Sequence, residues 1–338
     1  MGQYLVRRIF WMLLVLTVVS VVTFTLMRLV PGGPFNSERG VPAPIQANLE
    51  RRYNLDAPLV EQYLDYIGGI VVPRVTGGDF RRSAQEDYMV NIELPFGEEG
   101  LALRWMNFGP SLTSRSRTVT SIIKDNLPVS MTLGIAALVV GITIGVPLGV
   151  MAGLKPNTAY DYTGMGVAIL GVSVPAIILG PVLQYVFAVE LGWFPVTGWG
   201  DVDQIVLPAF ALGFAESALI ARLTRASLMQ VLREDYIRTA RAKGLSERIV
   251  IGVHALKNAM IPVVTILGPL AAALLTGTFV IEIIFGIPGL GKFFITSISN
   301  RDYTVIMGTV LLYASFLVIA NLLVDLSYAL LDPRIRFN

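Results

Sequence analysis

Cysteine is absent from this 338-residue chain, which excludes disulfides, thiolate metal sites and thiol nucleophiles. Histidine occurs once, at His254, so no site can draw a histidine pair from this chain. Charge is also scarce. Asp, Glu, Lys and Arg make up 15% of the residues, against roughly a quarter in soluble domains. Neither sign dominates, because 26 basic and 24 acidic residues leave +2, which argues against a nucleic-acid partner. What is plentiful is apolar: 54% of residues are hydrophobic and the mean hydropathy is +0.65. These values exclude a water-soluble enzyme and predict several spans of ~20 apolar residues.

Window hydropathy finds six apolar stretches, at approximately 9–30, 129–154, 163–189, 205–220, 259–284 and 305–331. The fourth is short and is interrupted by Pro208, Gly213 and Glu216. Arg7 and Arg8 precede the first, but its core is too long for a signal peptide and no small-residue cleavage site follows, so a retained helix is expected. With both ends inside, short inner segments hold Arg7, Arg8, Lys155, the eight Lys and Arg between 222 and 257, Arg334 and Arg336. Short outer segments hold only Arg28, Lys292 and Arg301. The positive-inside rule therefore predicts cytoplasmic termini and an external 31–128 region.

The expected organisation is all-α: residues 1–30 as the first span, 31–128 as an external domain, 129–331 as a five-helix membrane core with an inner loop at 222–258, and 332–338 as a tail. Within the external domain, 58–67 reads as an amphipathic helix started by Pro58, with Leu59, Tyr63, Tyr66 and Ile67 on one face. A second helix is expected from Thr118 to Asn126. The stretch from Val75 to Trp105 shows no clear period and reads as a small insertion, with a hairpin around Met89 to Leu94.

The most informative stretch runs from Arg233 to Pro262. Residue by residue it predicts a helix, a break at Gly244, and a second helix capped by Ser246 with Glu247 in its first turn. Such a pair would present Arg238, Arg241, Lys243 and Arg248. Composition alone leaves open a basic loop that only fixes topology or lies on anionic lipid.

This stretch resembles the cytoplasmic loop of ABC-importer permeases, whose signature is Glu-Ala-Ala, three residues, then Gly. Arg238, Thr239 and Ala240 stand where the acidic triplet would be, Gly244 matches the glycine, and His254-Ala255-Leu256-Lys257 replaces the last element. Thr239-Ala240-Arg241-Ala242-Lys243-Gly244-Leu245 is similar to the oligopeptide/dipeptide permease subfamily. The first span through Pro31 and Gly32, the stretch Phe279–Phe285, Pro288–Gly291 and Arg301–Tyr303 resemble that subfamily too, so the likeness covers nearly all of the chain outside 75–105. It implies a six-helix, type I ABC-importer permease that moves peptides, with residues 238–246, including Ser246, coupling to ATPases. It also implies a second homologous permease, two ATP-binding subunits that hold ATP and Mg, and an external solute-binding protein. Besides the lipid bilayer, no cofactor or metal is expected on this chain, and it would make or break no covalent bond.

Three further features carry two readings each. Gly141, Gly145, Gly149 and Gly153 recur every four residues, as a packing seam or as a sliding surface. Glu216 sits mid-span, where exposure to hydrocarbon would cost ~2.5–3.5 kcal/mol, so it reads as a wall of the substrate pathway that attracts an amino group or as a structural hydrogen bond to a neighbouring helix. The stretch from Gly286 to Phe293 imitates a phosphate loop but lacks the magnesium-binding hydroxyl, and Pro288 removes a donor. Nickel chelates, glutathione and oligosaccharides remain alternative cargoes. A secondary transporter would leave the basic helix pair unexplained, and no protease constellation is visible.

Overall fold

The computed structural model describes residues 2–30, 32–35, 43–77, 87–94, 101–114 and 116–331. The tail 332–338 and the insertion stretches 78–86 and 95–100 lie outside the described residues. In chain order the first helices are α1 (Gly2–Leu29), α2 (Ala43–Arg52) and α3 (Leu59–Val71). Strands β1 (Arg74–Gly77), β2 (Val90–Leu94) and β3 (Leu101–Trp105) follow, then α4 (Val119–Leu154), α5 (Ala159–Ser173) and α6 (Ala176–Glu190). The remainder is α7 (Val202–Val231), α8 (Asp235–Ala242), α9 (247–259), α10 (Ile261–Leu275), α11 (Phe279–Ile284), α12 (Gly291–Ser299) and α13 (Tyr303–Leu331).

This is an all-α membrane protein. Five segments, Val6–Leu29, Val119–Leu154, Val202–Val231, Ile261–Ile284 and Tyr303–Tyr328, are long and apolar enough to cross a bilayer, and the α5–α6 pair makes a sixth if counted as one span. That pair occupies the stretch expected as the third span, 163–189, and bends by 100° within it. Pro175 has no amide hydrogen to donate and holds Val174 extended at φ −99° and ψ 108°. α7 is also longer than the stretch 205–220. It has the lowest hydropathy of the five, and 56% of its most apolar window is buried inside the protein, so protein rather than lipid solvates its polar positions.

The chain forms two compact units. The first comprises the described residues within 1–10, 129–289 and 315–338. Its centre is the seam between α4 and α7, where a Cβ on Gly145 would lie 2.6 Å from the Ser217 carbonyl and one on Gly149 2.5 Å from the Ala221 carbonyl. Gly141 faces the Gly213 carbonyl and Gly153 faces Leu228 and the Arg225 carbonyl. On the adjoining face, α5 meets α7 through Ala168, Ala218 and Ala221. α10 and α13 approach at Gly268, beside Val324 and Asn321. Arg8 and Asp325 form an ion pair.

The second unit comprises the described residues within 11–128 and 290–314. Its sheet is antiparallel in the order β1-β3-β2, with Val75 opposite Leu103 and Ile92 opposite Leu103. The hairpin expected around Met89 to Leu94 is present as the antiparallel β2–β3 pair, and β1 adds a third strand that was not expected. The period was hidden because β1 and β2 are edge strands that alternate apolar and polar residues for only four or five positions. The helix expected over 118–126 is continuous with α4, which runs through Pro128. In α3 the inward side is Gln62, Tyr63 and Tyr66, whereas Leu59 is 54% exposed. Asp302, 2% exposed, ties this unit together: it accepts hydrogen bonds from Ser111 Oγ (2.5 Å), Leu112 N (3.1 Å), Thr113 Oγ1 (2.8 Å) and Val305 N (3.3 Å) at the start of α13.

Overpacking a tight seam costs about 1–3 kcal/mol or more. Gly149→Val is expected to lower the thermal midpoint of the purified protein by several degrees. Gly166→Ala, where nothing lies within 4 Å of the added carbon, is expected to leave it unchanged. Equal midpoints for the two variants would refute the seam.

Candidate functional site

The segment after α7 turns back on itself through a closed helix terminus. α8 ends at Ala242, and Gly244 takes φ +77°. Leu245 N donates to the Ala240 carbonyl at 3.4 Å and Gly244 N to the Arg241 carbonyl at 2.9 Å. This pair of bonds is the Schellman closure, which needs a left-handed residue at the position glycine holds. Ser246 then starts α9 with extended φ −65° and ψ 146°. Its hydroxyl makes no capping bond, which corrects the expected side-chain cap. The turn is held instead by its backbone and by an ion pair.

That pair is bidentate, with Arg241 Nε 2.7 Å from Glu247 Oε1 and Nη2 3.2 Å from Oε2. The guanidinium holds the Glu247 carboxyl below its usual range, and the carboxylate raises Arg241 in turn. Both side chains are exposed, so the pair fixes geometry more than it stabilises the fold. The inward side of the helix pair is apolar: Ile237, Ala240, Val250, Ala255 and Ala259 cluster with Leu228 of α7, and Leu154 of α4 packs against them. Asn258 Nδ2 donates to the Tyr236 hydroxyl at 2.7 Å, joining α9 to α8. α9 contains a wide turn, Val250–Ala255, between the regular turns Glu247–Ile249 and Leu256–Ala259.

Of the residues expected to couple, Arg238, Thr239, Arg241, Ala242, Lys243, Gly244, Leu245 and Ser246 are exposed together on the outer rim of this turn. Ala240 is buried against α7 and belongs to the base. Tyr236, Leu245, Ile249 and Val253 add exposed apolar side chains between the charges. Glu216 is elsewhere, 15 residues before the end of α7, or about 22 Å along its axis. It is half-buried, and its Cβ lies 3.6 Å from where a side chain on Gly141 would begin. Among the described residues it has no hydrogen bond or ion pair. The structure thus brings Glu216 to the glycine seam and away from the turn at Gly244.

Two arrangements escaped sequence reasoning. The first is a bidentate pair between Asp161 of α5 and Arg225 of α7, at 2.6 and 2.7 Å, with Asp161 3% exposed. Asn157, left-handed at φ +60°, donates its backbone N to the same carboxylate at 2.9 Å. Arg225 reads in sequence as one topology charge among many; the available signal is an acid in the first turn of an apolar helix. The second is Glu282 of α11, 1% exposed, which accepts from Ser130 Oγ of α4 at 2.7 Å and from Thr278 N at 3.2 Å. Its carboxylate fills the space beside Gly289, inside the stretch that imitates a phosphate loop, where an anion repels phosphate.

Five long apolar helices, a bent helix pair, a glycine-seamed contact and a short stapled helix pair define a multi-span membrane protein. The comparisons specify it further. Residues 145–337 match the model of the binding-protein-dependent transport system inner membrane component, and residues 1–83 match its N-terminal companion. The chain belongs to this family. It is 43% identical over its whole length, and 99% of the relative's, to the dipeptide transport system permease protein DppB of Bacillus subtilis. It is 38% identical, over all of both chains, to the oligopeptide transport system permease protein OppB of Salmonella typhimurium. The fold is similar to a solved structure of the MetNI methionine ABC transporter in an inward-facing conformation, with a TM-score of 0.50 and 16% identity over 65% of this chain and all of that one.

Removing one partner of a buried pair costs about 3–5 kcal/mol, because the other charge is left without compensation. Arg225 retains 27% exposure, so the low end applies. Asp161→Asn is expected to lower the thermal midpoint more than the double variant Asp161→Asn/Arg225→Gln does. If the double variant loses the sum of both single losses, the two residues are not coupled.

Proposed function

We propose that this chain is the permease subunit of an ATP-driven importer of di- or oligopeptides in the inner membrane. The reading of its cargo rests on relatives that are named for dipeptide and oligopeptide transport. The observation that carries the mechanism is the stapled turn at Gly244, rigid at its base and exposed at its rim. In this reading the rim docks on cytoplasmic ATPases that bind ATP and Mg, and a second homologous permease completes the pathway. An external solute-binding protein delivers the peptide. The termini and the 238–246 turn are cytoplasmic, and the 31–128 region is external.

The mechanical argument runs from α8 inward. Force on the rim reaches α7 through Ile237, Ala240 and Leu228. α7 is coupled to α5 by the Asp161–Arg225 pair and to α4 by the glycine seam, so these helices move as one body. A push at the rim therefore reorients the membrane core instead of dissipating in a flexible loop. Glu216, at the seam, lines the pathway in this reading and attracts a cationic amine.

Valine cannot hold φ near +77° without a cost of about 1–2 kcal/mol, and its β-branching adds to that cost. Gly244→Val is expected to reduce uptake by about tenfold with the protein still inserted. Gly252→Ala, in the exposed part of α9 with nothing within 4 Å, is expected to retain it. Wild-type uptake and assembly in Gly244→Val would remove the coupling role. The sidedness has its own test in this cysteine-free chain. A cysteine at position 90 is expected to react with an impermeant reagent from outside, and one at position 241 to be protected. The reverse pattern would invert the topology.

A further inference from the structure

Arg28, on the last turn of α1, has its guanidinium over the ring of Phe24 at 5.1 Å and over that of Tyr303 at 4.9 Å. These two ring contacts attract the charge, whereas the in-plane N–H groups of a guanidinium still call for acceptor oxygens. No carboxylate supplies them among the described residues, and Arg28 Nε is buried without a hydrogen bond. The guanidinium lines a cavity of about 180 Å³, within the second unit, between α1, α3 and the start of α13.

Two more polar atoms on the wall of this cavity lack partners. Gln62 is 8% exposed, and its Nε2 donates to the carbonyls of Leu55 at 3.0 Å and Ala57 at 2.7 Å. Those bonds fix the amide, and Oε1 is left as a buried acceptor without a donor. The Tyr66 hydroxyl is likewise buried and unpaired, and burial pushes its phenol above the ordinary value, so it stays protonated as a donor. Asp65 also lines the cavity, bound by Asn54 Nδ2 at 3.2 Å and exposed to solvent.

Water alone could satisfy Gln62 and Tyr66, but water does not compensate a half-buried cation. A carboxylate does, because its two oxygens match the guanidinium fork and accept from a hydroxyl beside it. The unmatched Gln62 acceptor and the Asp65 carboxylate call for a donor, preferably cationic, on the same ligand. The cavity holds roughly six water volumes of ~30 Å³ each, comparable with the six heavy atoms of alanine. We infer that this cavity is a binding site for a single small α-amino acid, its carboxylate on Arg28 and Tyr66 and its ammonium toward Gln62 and Asp65. The site lies outside the turn and seam used above and does not depend on the transport reading.

The test uses the full-length chain as purified, with whatever subunits accompany it, in discs of phosphatidylcholine. L-alanine is expected to bind in calorimetry and to raise the thermal midpoint, whereas L-alaninamide, which lacks the carboxylate, is expected to do neither. Arg28→Lys keeps the charge but loses the fork and is expected to weaken L-alanine binding by about tenfold. Arg28→Gln is expected to abolish it. Because the two probes are compared on the unaltered protein, a folding defect in either variant leaves the test decisive. No response to L-alanine, an equal response to L-alaninamide, or wild-type affinity in Arg28→Lys would overturn the site. So would a response seen only when phosphatidylglycerol is added to the discs, which would assign the anion to a lipid phosphate.

Discussion

The first unit depends on how closely α4 and α7 can approach. Four glycines at four-residue intervals put the backbone of α4 against the carbonyls of Gly213, Ser217, Ala221 and Arg225 and against the Ile220, Thr224 and Leu228 side chains of α7. In a bilayer there is little hydrophobic drive for helices to associate, so dispersion at short range must hold them. The seam serves that purpose. α5 packs on the adjoining face of α7, sharing Ala221 with the seam, and there the Asp161–Arg225 pair locks the second contact with charge-assisted bonds. A helix held on two sides can carry polar residues such as Ser217 and Thr224 fully buried. The end of that helix then seats the Gly244 turn.

Much of this was legible in the sequence where a single local rule decides the outcome. The long apolar runs, the four-residue glycine spacing and the glycine after Arg241-Ala242-Lys243 each report on themselves. The left-handed Gly244 is the clearest case, since the chain must reverse there and glycine alone does so without strain. The length of α7 was not legible, because hydropathy assumes lipid contact and this helix is mostly surrounded by protein. The α5–α6 bend was concealed for the opposite reason. Both halves are apolar, and Pro175 reads as a tolerated interruption until the backbone at Val174 is seen to be extended.

The polar contacts that organise the structure were the least legible, for a common reason. Asp302 joins residues 111–113 to the start of α13 across some 190 positions, and Glu282 meets Ser130 across 152. No periodicity links residues so far apart. Each is an acid near the end of a helix, which on local grounds is an unremarkable choice. The buried carboxylate contributes because several donors from a distant segment converge on it, and only the tertiary fold reveals that convergence.

The wide turn in α9 changes how this part of the chain registers its own length. Val250, Ala255 and Ala259, all fully buried, are spaced by five and then four residues. The five-residue step falls across Val250–Ala255, where the backbone takes the wider winding. A regular helix would carry the residue five places on well away from the first, toward solvent. The wide turn absorbs one surplus residue and returns Ala255 to the base. Loss of one residue there can therefore be met by tightening the winding to a regular turn, with the helix on either side keeping its face. The base of the helix pair has a built-in tolerance of one residue in length, set beside a rim that has none at Gly244.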